Sequence, residues 1–423
     1  MAGDTSTQAE PAADAEWTFV GRMPSVTQGW KLYISASARD FAAALQAGRS
    51  VLDVHGAPFK FASDMNVLRR LNAGLCGYSQ IGKSIVVYLD TEVNAQELVR
   101  DLKLALEDFR GSNLRPPFAH PIGGGYPLSF RYGAFSGLEV VLHDRTIPDE
   151  RSRRQDLSAL PALPFADALE VEEADHAMNR FLLSYPVFEV LGQAGKGGVY
   201  AALDIASPVF REVIVKIGRR HGNLLPDGRD GMDLVAHEHW FYLAVKDLGL
   251  APHMPTLVDY AEFAGAAALV MERLEGVTLL GRQIEGSLQT EHISRALELL
   301  DEFHAAGFIV GDAKLANFIE TPDGLLKAID FESAAPVTDL LSRQQHASFL
   351  FADSALLERP RLWEKLHFLY SVMHGSGGHS DEANARIVDL DAMLDRGRDL
   401  RPIEEYAREL ARELCLRDAF RVA

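Results

Sequence analysis

Apolar and polar positions alternate along Trp30-Lys31-Leu32-Tyr33-Ile34-Ser35-Ala36, and this period of two predicts a strand. From residue 37 to 48 the period changes. Phe41, Ala44 and Leu45 fall on one face of a helix. The pattern continues with a short strand at Phe59-Lys60-Phe61 after a Gly56-Ala57-Pro58 turn, a helix over 66–71 ending near Gly74, and a strand over 84–89. An amphipathic helix over 94–109 follows, with Asn94 as its cap. Residues 112–129 hold four prolines and three consecutive glycines, which predicts a long loop before Phe130-Arg131-Tyr132-Gly133. Residues 145–185 are charged and proline-interrupted, so they read as a linker with a short helix over 165–173. Beyond it come strands at 187–191, 212–217 and 267–271, a helix at 236–243, and a second helix at 300–307. Further helices are predicted over 338–357, 360–374 and 401–417. Together this describes an α+β chain of two domains. The expected divisions are a disordered acidic tail at 1–16, an α/β domain at 17–145, a linker at 146–185, and a second domain at 186–423 that divides near residue 275.

Composition narrows the class. The 423 residues are 47% hydrophobic and 24% charged, enough for sizeable cores. No run of eighteen apolar residues is present, so no membrane span is expected. The N-terminus lacks the basic and apolar regions of a signal peptide, which predicts a cytoplasmic protein. The net charge of −18 argues against nucleic acid as a partner and makes any local group of lysines and arginines informative. Two cysteines, Cys76 and Cys415, exclude a cysteine framework, and the histidines show no metal-binding spacing.

The chemistry is densest between residues 310 and 332. Asp312 and Asn317 stand in a D-x-x-x-x-N spacing, and Asp330 follows in Asp-Phe-Glu. Phosphoryl transfer needs a carboxylate to orient the attacking hydroxyl, and an amide and a second carboxylate to hold Mg²⁺ on the nucleotide. Upstream, Gly192, Ala194, Gly197 and Val199 approximate G-x-G-x-x-G-x-V, with alanine for the middle glycine. Lys216 sits where a strand lysine contacts the phosphates, Glu238 where a helix glutamate pairs with it, and Glu272 opens a hinge-like stretch. Each feature alone has a plain structural explanation, such as a glycine-rich hairpin or a solvated strand-end lysine. Their order resembles the bilobal protein-kinase fold, with an N-lobe at 186–275 and a C-lobe with a helical extension at 276–423. The resemblance implies ATP or GTP and Mg²⁺, with Asp312 as base and Asn317 and Asp330 as metal ligands. Val310-Gly311 replaces the usual His-Arg, and no Ala-Pro-Glu segment follows. These departures also occur in small-molecule phosphotransferases of the aminoglycoside and choline kinase type. Lys314, two residues after Asp312, tilts the choice toward a peptide acceptor.

In the first domain Lys31, Lys60, Lys83 and Arg131 lie on or beside short strands. They either converge on an anion such as phosphate or are separate solvated charges. The stretches Trp30–Ala36, Pro58-Phe59-Lys60, Gly77-Tyr78-Ser79-Gln80-Ile81-Gly82-Lys83 and Phe130-Arg131-Tyr132-Gly133 resemble the N-terminal lyase domain of class III lanthipeptide synthetases. That domain is itself similar to bacterial phosphothreonine lyases. The resemblance implies removal of phosphate from phosphoserine or phosphothreonine by β-elimination. Lys60 would be the base and Lys31, Lys83 and Arg131 the phosphate ligands. The family's histidine acid is replaced by Tyr33, a phenol of ordinary pKa near 10. His55 is a candidate substitute for it.

The expectation is therefore a Ser/Thr peptide kinase coupled to phosphate elimination, giving dehydroalanine or dehydrobutyrine in a ribosomally made precursor peptide. Class III synthetases carry a further cyclase domain, and the sequence ends before one would fit, so ring closure is expected from a separate cyclase or not at all. The alternative is a protein or small-molecule kinase whose N-terminal domain only binds phosphopeptide, and Tyr33 is its main support.

Overall fold

The computed structural model describes residues 16–90, 93–111, 114–171, 176–225, 227–338, 359–374, 405–406 and 409. The helix expected over 338–357, apart from residue 338, and the acidic tail up to residue 15 lie outside the described residues, as does the helix expected over 401–417 apart from 405–406 and 409, which are helical. The fold is mixed α/β and is built around two large antiparallel sheets.

The first sheet has six strands in the order β1-β3-β4-β2-β6-β5. They are β1 Trp17–Val20, β2 Gln28–Ile34, β3 Phe59–Ala62, β4 Ile85–Tyr88, β5 His120–Pro121 and β6 Leu128–Ala134. The alternation seen in the sequence divides its two faces. Leu32, Ile34, Phe59, Val87 and Phe130 join one core with residues of α1 Phe41–Val54 and α3 Ala95–Ala105, including Ala44, Leu52, Leu98 and Leu102. Asn94 caps α3 by accepting from Glu97 N at 3.3 Å, as its position in the sequence predicts. The helix α2, Met65–Ala73, starts on Asp64, whose carboxylate accepts from Asn66 N and Val67 N. It ends at Gly74, in the left-handed region at φ +85°. The strand β1, four residues long, is too short to establish a period in the sequence, and the loop expected over 112–129 contains β5.

Beyond β6 a hairpin, β7 Glu139–Leu142 and β8 Arg145–Pro148, returns the chain to the sheet. Asp149 reaches Arg131, Gln155 bonds the Tyr132 backbone on both sides, and Phe165 is fully buried in the first core. Much of the stretch read as a linker thus packs against this sheet. The helix expected over 165–173 is only a 3₁₀ turn, Ala166–Ala168.

After α4 His176–Ser184 comes the second sheet, with five strands in the order β12-β13-β11-β10-β9. They are β9 Val187–Ala194, β10 Gly197–Asp204, β11 Arg211–Arg219, β12 Leu257–Glu262 and β13 Ala266–Glu272. Helix α5, Gly231–Val245, lies against β11 and β13 and is opened by an Asp230/Asp233 capping box. A mostly helical part follows: β14 Val277–Thr278, α6 Leu279–Ile284, α7 Thr290–Ala305, and then α8 Pro360–His374. Between α7 and α8 the chain makes short strands, β15 Phe308–Ile309, β16 Phe318–Glu320, β17 Leu326–Ala328 and β18 Ala335–Pro336. Phe331 of Asp-Phe-Glu is fully buried, stacked 4.9 Å from Phe241 of α5 and 5.8 Å from Phe303 of α7. This packing places Asp330 at the junction of the sheet and the helices. Among the described residues no helix is long and apolar enough to cross a membrane.

Candidate functional site

Strand β11 carries Lys216 inward, and α5 brings Glu238 to meet it. Lys216 Nζ lies 2.8 and 3.0 Å from the two Glu238 oxygens and 2.6 Å from Asp330 Oδ1. Glu238 is completely buried and also accepts from Phe331 N at 3.1 Å, so one carboxylate fixes both the lysine and Asp-Phe-Glu. Burial alone would lower the Lys216 pKa, but the Asp330 and Glu238 carboxylates outweigh it and hold the ammonium above its ordinary value. Burial likewise pushes Asp330 up, and Lys216 and Lys196 overcome that to keep it below the usual carboxylate range. Asp330 has φ +67°, a left-handed conformation unusual for a residue other than glycine.

Asp312 lies in the loop between β15 and β16. Its Oδ2 is held by Lys314 Nζ at 2.5 Å and by Asn317 Nδ2 at 3.2 Å, and Asn317 Nδ2 also donates to the Asp312 carbonyl at 2.9 Å. Oδ1 is buried and has no hydrogen-bond partner among the described residues. It is the one oxygen of this carboxylate that the neighbouring side chains leave without a hydrogen bond. Ile329 N donates to the Asn317 carbonyl at 2.9 Å, tying Asn317 to the strand that delivers Asp330. One amide and one carboxylate, all oxygen donors, suit Mg²⁺. With the metal bound, its charge would screen the nucleotide phosphates.

The glycine-rich turn joins β9 to β10, with Ala194 opposite Gly197 and Val199 opposite Gly192. Lys196 at its tip pairs with Glu332, the residue that stands for the usual glycine of Asp-Phe-Gly. Glu272 stands apart from this cluster. Its carboxylate accepts from Thr256 N and Oγ1 and faces Lys327 at 3.6 Å.

Two residues that hold the catalytic loop had no signal in the sequence. Glu364 of α8 is fully buried, accepts from Gly311 N at 2.6 Å, and bonds His304 Nε2 at 2.7 Å. Gly311 itself is required. Its φ is +86°, and a Cβ there would lie 2.0 Å from the Ser333 carbonyl. Replacement of the usual arginine therefore goes with close packing of this loop on the segment after Asp-Phe-Glu.

The second cluster is on the open face of the six-stranded sheet. Register places Phe19, Lys60, Val86, Tyr33 and Ser129 in one cross-strand row, and Tyr88, Lys31 and Arg131 in the next. Lys31, Tyr33, Lys60, Lys83, Arg131, Gln80 and Arg151 line a cavity of about 110 Å³ with Trp17 and Tyr88. All four cations singled out in the sequence thus face the same space. Asp149 anchors the guanidinium groups, with Oδ1 2.7 Å from Arg131 and Oδ2 3.1 Å from Arg151. Gly133 of Arg-Tyr-Gly makes room for it, since a Cβ there would meet Asp149 Oδ2 at 2.9 Å. Gly82 has φ +72°, and a Cβ there would lie 2.7 Å from the Arg115 carbonyl carbon, so Tyr-Ser-Gln-Ile-Gly-Lys needs its glycine too.

Lys83 is 8% exposed, and its ammonium, 5.4 Å from the centre of the Tyr33 ring, finds no carboxylate or carbonyl among the described residues. Burial, then Arg151, Lys31 and Arg131, drive its pKa well down. Burial likewise lowers Lys31 to about 8, against the pull of Asp149. Lys60 lies over the Trp17 ring, its Nζ 4.2 Å from the ring centre. Two expectations change. Tyr33 is not an ordinary phenol, because burial raises its pKa to about 12. His55 does not line the cavity; its Nε2 is 2.7 Å from Asp101 on α3, across the sheet. Arg151 and Asp149, read in the sequence as part of a solvated charged stretch, belong to the site.

A lysine bridging two carboxylates near Asp312, with a glycine-rich turn pairing to Glu332, fits a protein-kinase-like arrangement within a mixed α/β fold. Comparison with known proteins extends this. Residues 4–157 match the family described as RamC, N-terminal domain. The chain is 27% identical over 351 residues to the "Probable SapB synthase" of Streptomyces coelicolor, covering 74% of this chain and 36% of that protein. It is 31% identical over 157 residues to "Serine/threonine-protein kinase B" of Synechocystis, covering 35% of this chain and 26% of that one. Over 183 residues it is 30% identical to the "Probable serine/threonine-protein kinase PknB" of Corynebacterium glutamicum, covering 41% and 27%. These similarities support a class III lanthipeptide synthetase-like protein. It spans about a third of the length of the SapB synthase it matches.

Proposed function

We propose that this chain phosphorylates Ser or Thr of a precursor peptide with ATP and Mg²⁺, then eliminates the phosphate to leave dehydroalanine or dehydrobutyrine. The observation that carries the reading is the presence on one chain of two clusters: Asp312 held by Lys314 and Asn317 near the Lys216–Glu238–Asp330 group, and a cavity lined by Lys31, Lys60, Lys83, Arg131 and Arg151. Similarity to Ser/Thr kinases and to a SapB synthase supports a hydroxyl-bearing peptide as acceptor and ATP, not GTP, as donor.

In the first step Asp312 Oδ1 would accept the hydroxyl hydrogen while Lys314 and Asn317 keep Oδ2 in place. Lys216, fixed by Glu238, would leave Asp330 for the nucleotide phosphates as the metal takes its place. In the second step an uncharged lysine takes the α-proton, the Cα–Cβ double bond forms, and the Cβ–O bond breaks toward the phosphate. Lys31, Lys83, Arg131 and Arg151 would neutralise the leaving group. Lys60 is the proposed base. The cavity is large enough for one tetrahedral oxyanion, the space of a few waters at about 30 Å³ each.

Mass spectrometry of a Ser/Thr-rich peptide incubated with Mg²⁺ and ATP tests both steps. A gain of about 80 Da followed by a loss of about 98 Da supports them. A phosphopeptide that accumulates would favour a second reading, a kinase whose N-terminal site binds phosphopeptide without eliminating. The raised pKa of Tyr33 is the observation on its side, since a weaker acid protonates the leaving group poorly. Absence of any mass change would overturn both.

A further inference from the structure

The glycine-rich turn of the kinase-type cluster is seated on the N-terminal sheet's own loops. Gly195 N donates to the Ala73 carbonyl at 3.0 Å, at the end of α2. A Cβ at Gly195 would lie 1.7 Å from the Asn72 carbonyl, so the seat requires glycine at this position. Asn72 is buried and donates to the Ala36 carbonyl at 3.0 Å, which makes the seat part of the first core.

A second contact lies at the other side of the turn. Arg219, the last residue of the strand that carries Lys216, donates to the Tyr78 hydroxyl at 2.5 Å, with its guanidinium 5.6 Å from the Tyr78 ring centre. Arg219 N donates to the Lys196 carbonyl at 2.8 Å, so Arg219 holds the turn and Tyr78 together. Tyr78 packs edge-on against Phe118 at 5.7 Å. The residues next to it, Ser79 and Gln80, and Phe118 itself, line the cation-bearing cavities. The same few residues thus border the nucleotide turn and the wall of the anion site.

We propose that Arg219 and Tyr78 are positioning residues shared by the two sites. They set the glycine-rich turn over the nucleotide and, through Ser79 and Gln80, the wall of the cation-lined cavity, so that occupancy of one site changes affinity at the other. The inference rests on the kinase and anion-site reading above. A nucleotide entering the cleft displaces the turn from Glu332. That displacement can proceed only with movement at Ala73 or Tyr78, and by linkage an anion in the cavity must alter nucleotide affinity by the same factor.

Titration calorimetry of the full chain tests this. Inorganic sulfate serves as the cavity probe and Mg²⁺ with a non-hydrolysable ATP analogue as the cleft probe, each alone and then with the other saturating. The expected result is a reciprocal change in affinity of at least about five-fold. It should fall below about two-fold in Arg219→Gln and in Tyr78→Phe, with the double variant no worse than either single one, as for one shared contact. Sulfate bound alone should change by less than about two-fold, since neither residue lines the cavity. Tyr78→Phe keeps the ring on Phe118, so it decides the matter if Arg219→Gln fails to fold. Two ligands that bind wild type independently overturn the inference and leave the functional reading intact. Failure of either ligand to bind wild type overturns that reading, and the inference with it.

Discussion

Lys314 and Asn317 hold one oxygen of Asp312, and the consequence falls on the other, which is buried with nothing to bond. Asp312→Asn should therefore lower phosphate transfer about 10²–10⁴-fold, the range for a lost general base, with nucleotide affinity little changed. Isothermal binding beside a turnover assay separates the two effects. Lys83 presents a different case, a lysine at the cavity pressed by burial and by Arg151, Lys31 and Arg131. Lys83→Met removes that repulsion and should raise the melting temperature of the ligand-free protein while abolishing sulfate binding. Thermal melts with and without sulfate read both. Lys31 sets a pH dependence. With its folded pKa near 8 it is charged below that value, so sulfate affinity should decline as pH rises through about 8. Between 8 and 10.5 the unfolded chain holds a proton that the folded chain does not, so this residue makes the ligand-free protein gain stability with rising pH across that window. The positions of Asp312, Asn317, Asp330, Lys216 and Glu238 were readable because they stand in the order and spacing of kinase-like motifs. Asp149, Arg151 and Glu364 were not, because charged residues outside a motif look alike until the chain is folded.

At the scale of elements, the sequence located β2, β4, α3 and β11 to within a few residues: the amphipathic period marks α3, and the β-branched run Ile85-Val86-Val87 marks β4, which is buried along its whole length. Strand β1 and the 3₁₀ turn at Ala166–Ala168 were missed for the reverse reason, being too short to establish a period. The glycines proved more informative than their ordinary role as turn formers suggests. Gly133 and Gly311 mark places where a carboxylate or a carbonyl presses against the backbone. Helix α8 acts on the catalytic loop through one side chain. Glu364→Ala would leave Gly311 N and His304 Nε2 buried without their acceptor, and should destabilise the fold by about 3–5 kcal/mol, as when one partner of a buried pair is removed. Denaturant unfolding measures this. Glu364→Gln, which keeps an acceptor, should recover most of the loss.

For the whole molecule, the acidic balance of −18 contrasts with a cavity whose charged lining residues are all basic. An anion held there is held by local geometry and not by the overall field. The stretch after residue 148 belongs to this local geometry. Phe165→Ala should cost about 3–5 kcal/mol, as for other buried aromatic truncations, and melts monitored on sulfate protection would reveal it as a loss in the N-terminal part. Why this stretch read as a linker is plain from its residues: two prolines and alternating charges resemble solvated chain, and only the fold shows Phe165 under Phe130.

Asp149 meets Gly133 and Arg131 only because the β7–β8 hairpin is the right length to bring it back. The two are joined by a ruler of chain, and the ruler is subject to change in a way the site residues are not. An insertion at the hairpin tip, where His143 and Asp144 are exposed and left-handed, leaves the returning strand in phase. A single-residue deletion within 145–148 shifts Asp149 out of register, and the cavity loses its anchor although every residue that lines it is unaltered. Among diverging copies of such a chain, loss of the anion site would first be visible as a gap in an otherwise unremarked hairpin.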